Sequence, residues 1–470
     1  MTIEPLDLKL QLQRMREAHA REPAPGWSGR AARLRALSDL ITQHRGDIAE
    51  AIHQDFGGRP AQETDLLEVF PSLSAIRHAL AHGRRWMKPK RSWPGLLFLP
   101  ARNEIRPQPL GVVGIIVPWN YPLFLAAGPM VDALAAGNRV MVKMSEYTPH
   151  FSALFAQLAA RYFKPEDVCV VTGDADVAQA FSALPFDHLL FTGSTAVGRH
   201  VMRAASANLT PVTLELGGKS PAIVGPGARF ENAVERILVG KLFNAGQTCI
   251  APDYVLLPRG RVDEFVAAAR EVAARLYPQP VRNEQYASII SERQYRRLAA
   301  LRDDAKRDGA TVTLMGGDAD DVPRRRMTPA LLTGVSESMA VMQEEIFGPL
   351  LPLVPYDDID QAIAYVAAHP HPLALYLFEE DGALVDRVLA RTTAGGVTIN
   401  DTLYHIAQHE LPFGGVGPSG SGGYHGEAGF RTFSHMKSVF RQARVNGAGL
   451  LNPPYGERFR KMLALMLKRG

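Results

Sequence analysis

Cys249 is one of only two cysteines in 470 residues, and its setting is one in which a thiol can do chemistry. The apolar residues Phe230, Val234, Ile237, Leu238 and Leu242 recur at steps of three and four, which is one face of a helix. Asn244-Ala245-Gly246 ends that helix, with Gly246 free to take a positive φ, and an apolar strand over 254–257 follows. Cys249 therefore falls on a short turn from which a side chain can reach a cleft. The plain alternative for a single cysteine is a small buried hydrophobe. Glu215 ends a buried strand beside Gly217-Gly218, where its carboxylate is either a general base or a cap for the next segment.

Gly193-Ser194-Thr195-Ala196-Val197-Gly198 lies between a strand and a helix without the G-x-G-x-x-G spacing. It is either a plain turn or a helix N-terminus whose free N–H groups hold a pyrophosphate. Lys143 and Glu146 follow another strand, as an exposed ion pair or as contacts to an adenosine ribose, where an acidic residue commonly binds a hydroxyl. His405, His409, His425 and His435 match no metal-ligand spacing, so no metal is expected.

The elements that must position these groups are legible. Residues 6–55 read as two or three charged amphipathic helices, and a further helix covers 63–86. Lys88-Pro89-Lys90-Arg91-Ser92-Trp93-Pro94 opens an exposed arm that runs to residue 109. From residue 110, five apolar strands near 111–117, 139–143, 168–171, 188–191 and 212–215 alternate with helices. Parallel strands need crossovers, so this pattern predicts a doubly wound α/β sheet. Ligands of such sheets sit at the carboxyl ends of the strands. Those ends carry Pro118-Trp119-Asn120, Lys143 with Glu146, Thr192-Gly193-Ser194 and Glu215-Leu216-Gly217-Gly218, which points to a nucleotide site. A second α/β segment runs from 219 to 420, and the Gly-rich run 412–423 reads as a packed, tightly turning loop because Phe413 and Val416 interrupt it.

Composition sets the class. With 46% apolar and 21% charged residues this is an ordinary globular chain, long enough for two or three domains. A net charge of +4, from 52 basic and 48 acidic side chains, is too balanced to argue for nucleic-acid binding. Two cysteines make no disulfide framework, so a reducing cytoplasm is expected. Neither a signal peptide nor an apolar run near the ~18 residues of a membrane span is expected.

Five motifs carry a family resemblance. Pro118-Trp119-Asn120, Phe191-Thr192-Gly193-Ser194, Glu215-Leu216-Gly217-Gly218-Lys219, Gly246-Gln247-Thr248-Cys249 and Glu345-Ile346-Phe347-Gly348-Pro349 resemble the signature set of the aldehyde dehydrogenase superfamily. They stand in the family order across most of the chain. Asn244 to Tyr254 and Tyr424-His425-Gly426 resemble the class 3-like branch, and residues 411–437 resemble bacterial coniferyl aldehyde dehydrogenases.

The resemblance implies that Cys249 attacks the aldehyde carbon, that Asn120 and the Cys249 N–H form the oxyanion hole, and that Glu215 activates water. It assigns Trp119, Lys143, Glu146, Gly193, Ser194, Gly198, Leu216, Glu345 and Phe347 to the cofactor, expected to be NAD with NADP possible. It implies a homodimer and a division into an NAD(P)-binding domain (1–86 and 110–217), a catalytic domain (218–420), a bridging element (87–109 and 430–446) and an amphipathic tail (447–470). The tail at 457–469 reads as a packing helix, with peripheral membrane contact as the sharper reading. Met144 departs from the proline many members carry, which would relax the loop bearing Glu146. Ala196 replaces a common glutamate, as it does in the class 3-like branch.

Tyr121, Tyr404 and Phe413 are candidate walls for an aromatic aldehyde, with core packing as the alternative for each. Coniferyl aldehyde, giving ferulate, is the expected substrate, and medium- or long-chain aliphatic aldehydes are the runner-up. A relative that passes the acyl group to phosphate or coenzyme A is disfavoured by Glu215. A cysteine hydrolase is disfavoured by the lack of a placed histidine, and a non-catalytic scaffold by the joint presence of Cys249, Glu215 and Asn120.

Overall fold

The computed structural model describes residues 5–317 and 319–469, so the ends of the expected 1–86 and 447–470 segments lie outside it. Three sheets organise the chain. The first has six strands, in the order Gly420–Ser421, Val212–Glu215, His188–Thr192, Val112–Ile116, Arg139–Lys143 and Val168–Val171. The last five are mutually parallel, and only the two-residue Gly420–Ser421 edge runs antiparallel. Val112–Ile116, first in the chain, sits inside the sheet, and later strands are added on both sides of it. The order therefore reverses between Val112–Ile116 and His188–Thr192, and a crevice opens at such a switch point. Both of these strands are buried on both faces, as a sheet covered by helices requires.

The second sheet has seven strands: Thr311–Leu314, Ala330–Thr333, Leu350–Tyr356, Tyr254–Pro258, Pro221–Val224, Ala374–Phe378 and Gly396–Ile399. All are parallel except the Thr311–Leu314 edge. The third is an antiparallel sheet of Lys90–Ser92, Arg102–Pro109 and Ser434–Arg441. Its eight-residue pairing, from Ser434 with Pro109 to Arg441 with Arg102, joins the exposed arm to a segment near the far end of the chain. Trp93, Phe98 and Phe440 are exposed there.

The N-terminal part forms the three helices Pro5–Arg21, Trp27–Gln43 and Arg45–Phe56. The expected helix over 63–86 is built in three pieces: Ala61–Thr64, a π turn at Asp65–Val69, and Phe70–Trp86. Helix Phe124–Ala136 is buried at every residue, so it is a core helix without an amphipathic face. The tail forms helix Glu457–Arg469, in which Phe459, Met462 and Met466 are half-buried and Leu463 is exposed. Among the described residues, no helix is long and apolar enough to cross a membrane.

Asn138 ties the layers together. It is fully buried; its Oδ1 accepts from the N–H groups of Leu110 (2.7 Å) and Gly111 (3.0 Å). Its Nδ2 donates to the carbonyls of Ala133 (3.1 Å) and Phe433 (2.8 Å). One amide thus joins the end of helix Phe124–Ala136, the entry to the central strand and the start of the C-terminal strand. Each buried group left unsatisfied costs about 1–3 kcal/mol, so Asn138→Ala is expected to lower the unfolding free energy by about 2 kcal/mol or more, read from the denaturant midpoint. A midpoint equal to the parent's would refute this role.

Candidate active site

The Cys249 turn is over-determined by its neighbours. Asn244, Ala245 and Gly246 take φ of 51°, 50° and 76°, three successive left-handed residues that swing the chain out of helix Phe230–Leu242. Two of these lack glycine's freedom, so the turn persists only because its surroundings hold it. Gln247 does much of the holding: its Nε2 donates to the carbonyls of Asn244 and Ser288 (both 3.0 Å), and its Oε1 accepts from Ile290 N–H (2.9 Å). Glu63 accepts from Asn244 N–H (3.1 Å). At Gly246 a Cβ would overlap the carbonyl oxygen of Gly348, so only glycine fits.

The turn places Cys249 in a cavity of about 270 Å³ at the switch point of the first sheet. Asn120, Trp119, Glu215 and Leu216 share that cavity with it. Gly193, Ser194, Glu345 and Phe347 complete the set of expected residues found there. Asn120 is bound to the cysteine turn: its Nδ2 donates to Gln247 O (3.2 Å), and its own carbonyl accepts from Asn244 Nδ2 (3.1 Å). The strand end that carries Glu215 is held on both sides, because Gly193 N–H donates to Glu215 O (3.0 Å) and Leu216 N–H to Ser419 O (3.0 Å). Glu345 rests against Gly217, where a Cβ would overlap its carboxylate. Lys219 bonds Asp253 and the Glu344 carbonyl, and Asp253 accepts from Ile346 N–H (2.9 Å), so the Glu345 loop is anchored beside the cysteine turn.

Other expected residues lie elsewhere. Gly198 packs beneath Leu216, outside the cavity lining. Lys143 and Glu146 follow the next strand: Lys143 is buried and donates to the carbonyls of Met144 (2.6 Å) and Gly173 (2.8 Å), whereas Glu146 is exposed. Tyr121 is buried with its hydroxyl 2.6 Å from Thr248 Oγ1, one residue from Cys249. Phe413 is buried in a stack with His405 and His425. Tyr404 is not brought to the cavity: it is 53% exposed, with the Arg236 guanidinium 5.5 Å from its ring centroid.

Sequence reasoning missed Gln294 and Arg297, which line the cavity from helix Glu292–Arg307. Arg297 grips the loop through the carbonyls of Glu345 (3.2 Å) and Ile346. Tyr424, quoted only as part of a motif, is fully buried, has a hydroxyl without a hydrogen-bond partner, and lies within electrostatic reach of Glu215 and Cys249. No local signal marks these residues, because their proximity to the site is set by packing between elements distant in sequence.

The cavity disfavours negative charge. Neither oxygen of Glu215 has a hydrogen-bond partner, and burial holds its carboxyl well above the usual range. Burial, with Asp253 adding, pushes Glu345 up to about 8. Burial, then the neighbouring Glu345 and Glu215, push the Cys249 thiol up to about 12. Cys249 and Glu345 are therefore mostly protonated near neutral pH, and burial favours the protonated form of Glu215 as well. The crevice and the helix N-terminus at Ser194 fit a dinucleotide, and a cationic oxidised ring beside Glu215, Glu345 and Cys249 would ease their ionisation.

A doubly wound sheet whose switch point opens beside a thiol defines a dinucleotide-dependent oxidoreductase. The family model "Aldehyde dehydrogenase family" matches residues 7–439, and the chain belongs to that family. It is 52% identical over 462 residues to a probable coniferyl aldehyde dehydrogenase of Pseudomonas aeruginosa, covering 98% of this chain and 96% of the relative. It is 46% identical over 463 residues to a coniferyl aldehyde dehydrogenase of a Pseudomonas species, covering 97% and 95%. The solved Mycobacterium tuberculosis aldehyde dehydrogenase complexed with NAD+ superposes with a TM-score of 0.84 at 30% identity, over 93% of this chain and 90% of that one. The protein is an NAD(P)-dependent aldehyde dehydrogenase.

Because the thiol titrates near 12, its thiolate fraction rises about tenfold per pH unit across the neutral and mildly alkaline range. Iodoacetamide alkylation of Cys249 in the cofactor-free protein, followed by mass spectrometry, is expected to accelerate tenfold from pH 7 to pH 8 and again to pH 9. Glu345→Gln, which removes a neighbouring negative charge once Glu345 has ionised, should speed alkylation at pH 9. A rate that levels off below pH 8 would contradict this electrostatic picture.

Proposed function

We propose that this dehydrogenase oxidises coniferyl aldehyde, or a similar aromatic aldehyde, to its carboxylic acid through a thioester on Cys249. The convergence of Cys249, Glu215 and Asn120 on one cavity carries the mechanism. The names of the two Pseudomonas relatives support the substrate.

The Cys249 thiol gives up its proton to solvent as its sulfur forms a bond to the carbonyl carbon, and the carbonyl electron pair moves onto oxygen. Asn120 Nδ2 spends one N–H on Gln247 O and keeps a second for that oxyanion, joined by the Cys249 backbone N–H. When bound, the oxidised nicotinamide supplies a cationic ring that accepts the hydride. The thiohemiacetal thereby becomes a thioester. Glu215 then takes a proton from water as the water oxygen attacks, and the acid and the thiol are released. Burial favours its protonated form, which strengthens it as the acceptor of the water proton, and it then returns that proton to the departing Cys249 sulfur. The helix N-terminus at Gly193 and Ser194 would hold the pyrophosphate, and the exposed Glu146 favours a free ribose hydroxyl over a phosphate, hence NAD over NADP. Tyr121 and Phe413 remain the candidate walls for the substrate ring, with the buried Tyr424 packed edge-on against Phe413, whereas the exposed position of Tyr404 supports no such role.

Glu215→Gln is expected to give a single-turnover burst of NADH followed by a steady state slowed at least a hundredfold, and Cys249→Ala neither burst nor turnover. Loss of the burst in Glu215→Gln would mean that Glu215 acts before the thioester. Substrate class is tested by kcat/KM for coniferyl aldehyde, benzaldehyde, hexanal and decanal with both NAD and NADP. Coniferyl aldehyde with NAD is expected to lead. A decanal value ten times larger, about 1.4 kcal/mol of transition-state preference, would move the assignment to aliphatic aldehydes and leave the mechanism standing.

A further inference from the structure

Away from the cavity, three imidazoles and an indole gather where helix Phe70–Trp86 meets the loop carrying His409 and Glu410. His78 and His82 are one turn apart, so their rings leave the same face of the helix. The His78 centroid lies 4.4 Å from His82, 5.2 Å from His409 and 5.5 Å from Trp86. Glu410 comes from the loop, with its Oε1 3.6 Å from His78 Nε2. One ligand atom from each of His78, His82 and Glu410 lies within 4.8 Å of the others.

Two details distinguish this group from a stack that only fills a seam. His78 Nε2 is buried and has no hydrogen-bond partner. His82 Nδ1 lies 3.0 Å from the His78 carbonyl oxygen, to which it must donate, so its Nε2 keeps the lone pair. An imidazole with its second nitrogen pinned to a carbonyl is how proteins orient a metal ligand.

We propose that His78, His82 and Glu410 bind one divalent cation of the borderline transition-metal class, with Zn2+ the reference ion. Two imidazole nitrogens and one carboxylate oxygen suit zinc and its neighbours, whereas magnesium and calcium prefer all-oxygen shells. Zinc bonds of about 2.0–2.2 Å need the three ligand atoms drawn closer together than they now stand. Glu410, with its side chain 72% exposed, has the freedom to close that distance. His409 Nε2, 2.9 Å from Ser74 Oγ, already ties the loop to the helix and keeps Glu410 in range. The bound ion would clip helix Phe70–Trp86 to the loop three residues before Phe413, so its effect is on rigidity and not on the oxidation step. The proposal is independent of the substrate assignment.

The test uses the full chain stripped with EDTA and carrying Cys249→Ser, so that the cavity thiol cannot take the ion. Calorimetric titration with ZnCl2 is expected to show one site per chain with micromolar or tighter affinity, and the melting temperature to rise with added Zn2+. Glu410→Gln, an exposed change that leaves the fold intact, should weaken binding at least tenfold, and His82→Asn should abolish it. Millimolar MgCl2 should not substitute. Absence of a saturable site, or affinity unchanged within twofold in both variants, would overturn the proposal.

Discussion

Arg59 and Glu68 are both fully buried, stand 2.8 Å apart, and hold the reaction centre between them. Arg59 also donates to the Asn120 carbonyl (3.1 Å) and lies over the Tyr121 ring at 4.9 Å. Glu68 accepts from the N–H groups of Leu123 (2.7 Å) and Phe124 (3.2 Å), where the buried helix Phe124–Ala136 begins. The segment from the central strand to that helix is thus gripped at both ends by one ion pair. Glu68 lies in the π turn Asp65–Val69, a local irregularity of the kind often found near functional sites. Glu63, in the preceding helical piece Ala61–Thr64, bonds the cysteine turn. Such a pair contributes little net stability, but removal of one partner leaves a buried charge at a cost of about 3–5 kcal/mol. Its value is positional: it sets Asn120 against Cys249.

The chamber so built is inhospitable to charge. Cys249, Glu215 and Glu345 each titrate higher than they would in water, for the shared reason that burial removes solvent and outweighs the few donors present, of which Glu215 has none. Ionising one makes the others harder to ionise. A thiol held in its protonated form is slow toward stray electrophiles, since thiols react as thiolates.

The parts of this design that were legible in the sequence are those written locally. The strand-ending motifs at Asn120, Gly193 and Glu215, and the helix-breaking run before Cys249, each declare their geometry within a few residues. The doubly wound sheet followed from apolar strands alternating with helices. What failed was whatever depends on distant packing. Tyr404 adjoins the right loop, but its ring turns outward onto Arg236, and nothing near it in the chain reports that choice. Arg297 lines the cavity, and Tyr424 is buried within electrostatic reach of Glu215 and Cys249, both from elements with no local mark. Arg59 reads as an ordinary surface cation until three helical pieces close over it. Histidine spacing around 405–435 gave no metal pattern, because the ligand-like atoms belong to residues 78, 82 and 410, far apart in sequence.

The antiparallel pairing of Arg102–Pro109 with Ser434–Arg441 bears on how the protein is made. At about 5–20 residues per second, the earlier strand leaves the ribosome tens of seconds before its partner exists. The Gly420–Ser421 edge of the nucleotide sheet also arrives near the end of synthesis. Through that interval the nascent chain carries a strand paired only with the short Lys90–Ser92, its other edge open beside the exposed Trp93 and Phe98, a template for other chains. The charged side chains of Arg102, Glu104 and Arg106 along it act as gatekeepers during that wait. Closure of the fold is thus a late event of translation, and the arm depends on its own charges to remain unaggregated until then.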